Sequence, residues 1–99
     1  LTCGRLQLNL LEHRVVVEGR EVKLTPTEYE LLKVMLKYAG RVLTHKQLLK
    51  AVWGNEYDTD THYIRIYMRQ LRRKIEPDPA QPKYLITEAG IGYRLLGGE

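Results

Sequence analysis

The chain sets apolar residues at two different periods. In RLQLNL, residues 5–10, every second residue is leucine, which predicts a strand with Leu6, Leu8 and Leu10 on one face. RVVVEGREVKL, 14–24, predicts two short strands around Glu18-Gly19, where glycine supplies the positive φ of a tight turn. The period then lengthens. LTPTEYELLKVMLKYAG, 24–40, predicts a helix whose stripe is Leu31, Leu32, Met35, Leu36 and Ala39. Thr25 stands as N-cap, Pro26 at the first helical position and Glu28 where a reciprocal capping box needs it. Leu24 and Tyr29 fit a hydrophobic staple, and Gly40 fits a stop. LTHKQLLKAVWG, 43–54, repeats the device: Thr44 caps, Gln47 answers, Leu43 staples to Leu48 and Gly54 ends the helix.

After a polar loop, NEYDTD at 55–60, a third helix is predicted over 61–75. At roughly 100° per residue, Ile64, Tyr67, Met68, Leu71 and Ile75 gather into a buried stripe. His62, Ile66, Arg69 and Arg73 fall opposite, flanked by Arg65 and Arg72. EPDPAQP, 76–82, holds three prolines and cannot continue a helix. KYLITEAGIGYRLL, 83–96, predicts a terminal hairpin around Ala89-Gly90-Ile91-Gly92. The order is a sheet over 1–24, three helices over 25–75 and a hairpin over 83–96, an α+β single domain.

Charge changes the meaning of the third helix. The net charge of the 99 residues is +4, yet Thr61 to Ile75 carries five bases (Arg65, Arg69, Arg72, Arg73, Lys74) and no acid. The remainder of the chain is net −1, so the excess positive charge sits on one element. Solvated helix faces usually mix signs. An all-basic arc rich in arginine, whose planar fork suits phosphate and the guanine edge, points to duplex nucleic acid. A capped helix before it and a hairpin after it supply the parts of a helix-turn-helix reader, although the connection between helices two and three is longer than a tight turn. The alternative is a module that docks its basic helix on an acidic protein.

Other chemistries are excluded or weak. One cysteine, Cys3, makes no internal disulfide, which suits a reducing, cytoplasmic setting. No apolar run reaches the ~20 residues of a membrane span. Gly90-x-Gly92 has too few residues after it for a dinucleotide-binding helix. Asp58-x-Asp60 lacks the glycine and distal glutamate of a calcium loop, with Tyr63 and Arg69 in their places. The three histidines and Cys3 form no metal-ligand spacing, no nucleophile–base pair stands out, and no cofactor or catalytic residue is expected. The start at Leu1 rather than Met suggests a piece of a longer protein.

The segments LTPTEYELLKVML, GRVLTHKQLLKAVWG, YMRQLRRKIE and YLITEAGIGYRL together resemble the OmpR/PhoB class of winged-helix DNA-binding domains, the output halves of two-component response regulators. The resemblance covers essentially the whole chain, and 62–95 is most similar to members that govern potassium-transport genes. It implies an N-terminal four-stranded antiparallel sheet, a recognition helix over 61–75 in the major groove and a wing over 84–96 near the minor groove. It implies duplex DNA with repeated half-sites as partner, bound as a homodimer that a phosphorylated receiver domain promotes. That receiver lies outside this chain. The loop at 53–59 is implied to face RNA polymerase.

Position by position, the resemblance implies DNA contacts at His62, Arg65, Ile66, Arg69, Arg72 and Arg73 on the helix, and at Thr87 and Tyr93 in the wing. Arg65 and Arg69 are expected at bases or phosphates; Arg72, Arg73 and Lys74 at phosphates. Arg72 is alternatively an internal salt-bridge partner, and His62 a first-turn cap. Trp53 is expected in the core, and Thr44 at a helix N-terminus that can also meet a phosphate. The chain departs from the family pattern at Ala89, where several relatives carry an arginine for the minor groove, and at Gln70, where arginine is common.

Overall fold

A computed structural model describes residues 2–3, 5–54 and 62–96. The first sheet is antiparallel in the order β1 (Thr2–Cys3), β2 (Leu6–Asn9), β3 (Arg14–Val17), β4 (Arg20–Val22). Three strands, β2 to β4, carry it; β1 is a two-residue edge piece beside Leu6 and Gln7. The period of two delivers Leu6, Leu8, Val15, Val17 and Val22 to the core. Glu18 and Gly19 both take positive φ, 52° and 80°, as a two-residue hairpin turn of matching twist requires. Leu10, expected on the buried face, is instead 48% exposed. The strand stops one residue earlier because Asn9 Oδ1 accepts the amides of Leu11 and Glu12 and turns the chain.

Helix α1 (Pro26–Lys37) opens with the capping box intact: the Glu28 amide donates to Thr25 Oγ1 at 3.3 Å and the Thr25 amide to Glu28 Oε1 at 2.9 Å. It closes at Tyr38, short of the glycine expected to stop it, so Ala39 is exposed rather than part of the stripe. Gly40 takes φ 86° and donates its amide to the Leu95 carbonyl, steering the chain onto the second sheet. Helix α2 (His45–Trp53) repeats the box with Thr44 and Gln47. Helix α3 (His62–Ile75) buries Ile64, Met68, Leu71 and Ile75, with half-buried Tyr67 against Trp53, ring centroids 5.3 Å apart.

The C-terminal wing is more than the expected hairpin. β6 (Leu85–Glu88) and β7 (Gly92–Leu95) pair antiparallel, and β5 (Val42–Thr44), just before α2, pairs with the other edge of β7. The order is β5-β7-β6, so the wing is rooted between α1 and α2. Gly92 makes this possible: a Cβ there would lie 1.9 Å from the Leu43 carbonyl oxygen. The wing tip turns at Gly90, φ 76°, with the Ile91 amide bonded to the Glu88 carbonyl. The molecule is thus an α+β winged helix with three helices and antiparallel sheets. Among the described residues no helix is long and apolar enough to cross a membrane.

Candidate nucleic-acid interface

Helix α3 is held by its apolar stripe, which leaves the opposite arc outward. Arg65, Ile66, Arg69, Gln70 and Arg73 are all exposed, Ile66 at 40%. Among the described residues, Arg65, Arg69 and Arg73 enter no ion pair and no side-chain hydrogen bond. They recur every fourth residue, so they line one face over about 12 Å of helix, close to the width of a major groove. Arginines with nothing to neutralise them are expensive to bring together unless an external anion meets them.

The other expected contact residues are placed differently. Arg72 is half-buried and engaged inside the domain: its Nε and Nη2 donate to the Leu85 carbonyl at 3.1 and 2.9 Å, and Nη2 also donates to Thr87 Oγ1. Its guanidinium lies 5.9 Å from the Tyr93 ring centroid. The internal partner is a wing carbonyl rather than the acid of a salt bridge. Lys74, expected at phosphate, pairs instead with the Glu28 carboxylate, which is 1% exposed. Thr87 is on the exposed side of the wing, where its hydroxyl accepts from Arg72.

Tyr93, expected to reach a DNA backbone, is buried at 5% exposure, with His45 edge-on to its ring. Alternation along β7 puts Tyr93 and Leu95 inward, because that strand is the middle of a three-stranded sheet. Burial pushes the Tyr93 phenol above its ordinary pKa, while the charges of Arg72 and Arg65 pull it partly back. The phenol therefore stands close behind the arginine face. The side chain of His62 and residues 55–61, which include Asp58 to Asp60 and most of the 53–59 loop, lie outside the described residues.

Two features escaped the sequence reading. Glu76, the first residue of the proline-rich connector, is 3% exposed and its carboxylate accepts the amides of Lys83, Tyr84 and Leu85. Ile91, at the wing tip, is 54% exposed. Beside it in the wing, Arg94 is paired with Glu88 at 2.7 Å. Among the described residues no cluster of His, Cys, Asp or Glu could hold a metal ion.

Fold and site together define a winged helix that presents a basic third helix. The chain belongs to the family of transcriptional regulatory protein C-terminal domains, the OmpR/PhoB class, whose model matches residues 19–95. It is 54% identical over 87 residues to the KDP operon transcriptional regulatory protein KdpE of Escherichia coli, covering 87% of this chain and 39% of that protein. It is 40% identical over 97 residues to the sensory transduction protein RegX3 of Mycolicibacterium smegmatis, covering 98% and 42%. The chain thus spans about two fifths of the length of these relatives.

Among solved structures, the response regulator DrrB, a Thermotoga maritima OmpR/PhoB homologue, superposes with a TM-score of 0.84 at 30% identity, covering 95% of this chain and 42% of DrrB. The DNA-binding domain of the response regulator AdeR, solved in complex with an intercistronic region, superposes with a TM-score of 0.79 at 25% identity, covering 93% of each chain.

Proposed function

We propose that this chain is a sequence-specific reader of double-stranded DNA, the output part of a two-component response regulator that works in the cytoplasm. The observation that carries the reading is the exposed arc Arg65, Ile66, Arg69 and Arg73, whose arginines have no ion pair among the described residues, on a helix whose other face is locked into the core. Helix α3 enters the major groove, with Arg65 and Arg69 at bases or phosphates, Ile66 against a thymine methyl and Arg73 on phosphate. The family resemblance adds His62, the first residue of α3, as a further DNA contact. The wing, residues 84–96, lies near the minor groove. Ala89 offers no arginine there, and exposed Ile91 is its outermost apolar group. Arg72 and Tyr93 serve from behind this surface, and Thr87, exposed on the wing, is joined to it through Arg72.

In the whole regulator, a phosphorylated receiver domain promotes a homodimer on repeated half-sites, and the loop at 53–59 faces RNA polymerase. The likeness to KdpE supports potassium-transport genes as the target, and the likeness to RegX3 over more of the chain makes that the finest-grained part of the proposal.

The test is selection of this domain against a randomised duplex pool at two salt concentrations. Enrichment of a motif repeated at helical-turn spacing is the expected result. Binding without enrichment, fading steeply with salt, would reduce the arc to nonspecific phosphate affinity. A salt-tolerant complex with an acidic protein and no duplex binding would replace the proposal with the docking alternative.

A further inference from the structure

The wing strand β6 lies at an open edge of its sheet, since the order is β5-β7-β6. Edge strands leave a row of backbone donors and acceptors without strand partners. Leu85 is such a residue: its amide and carbonyl both point away from β7, and both are taken by the end of α3. Glu76 accepts the Leu85 amide at 2.8 Å, and Arg72 donates twice to the Leu85 carbonyl. Arg72 and Glu76 are four residues apart and joined by the Glu76 amide to Arg72 carbonyl bond, 3.0 Å, so they project side by side. One helix end thus supplies an acceptor and a donor spaced as a neighbouring strand would space them.

The clamp extends along the strand. Arg72 also reaches Thr87 Oγ1, and Thr87 is the cross-strand partner of Tyr93, over whose ring the guanidinium lies. Glu76 also holds the amides of Lys83 and Tyr84. Every donor of the Arg72 guanidinium that is engaged here binds the wing, on the same helix from which Arg69 and Arg73 face outward.

We infer that Arg72 is a positioning residue rather than a phosphate ligand: with Glu76 it makes the end of α3 a surrogate strand for β6, and so fixes the wing relative to the recognition helix. The inference rests on the DNA-reading proposal for its consequence, but not for the clamp itself. A rigid wing presents the tip at one distance from the helix, so losing the clamp loosens binding through the wing without removing a charge from the phosphate count.

The test has two arms. In the free 99-residue chain, amide exchange is compared for the parent, Arg72→Ala and the milder Thr87→Val. Arg72→Ala is expected to speed exchange at Leu85, whose amide Glu76 holds, and at Ile86 and Glu88, whose amides face β7, by about tenfold while Leu31 and Leu32 in α1 stay as protected as in the parent. Thr87→Val is expected to give a smaller change at the same amides. Unchanged β6 exchange in both variants would overturn the clamp, and so would equal acceleration everywhere; neither outcome involves DNA.

In the second arm, affinity for the selected duplex is measured against salt. Arg73→Gln is expected to flatten the log–log salt slope by about 0.9, as loss of one phosphate contact does. Arg72→Gln is expected to weaken binding with the slope unchanged, and Thr87→Val to add nothing once Arg72 is replaced. A slope flattened as much by Arg72→Gln as by Arg73→Gln would make Arg72 a phosphate ligand and overturn the positioning role. A parent chain that binds no duplex at all would fail the DNA reading, while the exchange arm would still decide the clamp.

Discussion

Single residues show how much the neighbours of a side chain decide. Arg72 and Arg73 are adjacent and chemically identical, yet Arg73 is exposed and free of ion pairs among the described residues, and Arg72 is spent on the wing. The helical wheel placed Arg72 on the flank of the arc correctly, but its partner, Leu85, is thirteen residues away across a turn-rich connector, and no local period reports that. Lys74 is the same case: its carboxylate partner is forty-six residues upstream. Gly92 is the residue where a small change has the largest structural effect. Gly92→Ala would drive a Cβ into the Leu43 carbonyl and push β5 off β7. We expect a loss of about 2–3 kcal/mol, read as a lowered urea midpoint with an unchanged m-value.

At the scale of elements, the helices and the terminal hairpin were legible, and the third strand of the second sheet was not. Both capping boxes formed where Thr25-x-x-Glu28 and Thr44-x-x-Gln47 stand, because a cap is a local interaction between residues three apart. Thr44→Ala is expected to cost about 1 kcal/mol in thermal or urea unfolding. β5 escaped because three residues between two helices carry no period of their own; they become a strand through pairing with β7. The end of α1 was misplaced for a related reason, since Gly40 serves a contact to Leu95 rather than the helix.

The Glu28 cap also joins elements, pairing with Lys74 at the far end of α3. Burial raises the Glu28 carboxyl, but the Lys74 ammonium and the Thr25 amide and hydroxyl outweigh it, so its pKa lies below the ordinary 4.5. A carboxylate depressed by folding adds stability that is present above its unfolded pKa and is lost as pH falls through the folded value. Lys74→Met removes the largest depressing cause and leaves burial opposed only by the Thr25 bonds, so the carboxyl rises above its parent value. We expect that variant to lose about 1–2 kcal/mol at neutral pH, kept modest because Lys74 is partly solvated, and to begin acid unfolding at a higher pH than the parent. Urea titrations at stepped pH would check both.

At the scale of the whole molecule, the fold divides the arginines of one helix between two tasks. The apolar stripe, the Lys74 pair and the Arg72–Glu76 clamp tie α3 to α1, the core and the wing, and what remains outward is a short row of arginines without an ion pair among the described residues. The sequence showed that row because a one-sided basic helix violates the usual mixing of charge on solvated faces. It could not show which members stay free. If Arg65, Arg69 and Arg73 meet the duplex, specific and nonspecific readout separate among them, with the outermost phosphate contact blind to sequence.

The most direct measurement is therefore the affinity of the parent, Arg69→Ala and Arg73→Ala for the selected duplex and for a random duplex at one salt concentration. Arg69→Ala is expected to lower specific affinity by about tenfold or more and random affinity far less, whereas Arg73→Ala lowers both by the same factor. Equal losses on both duplexes for Arg69→Ala would contradict base readout by the outward face of α3.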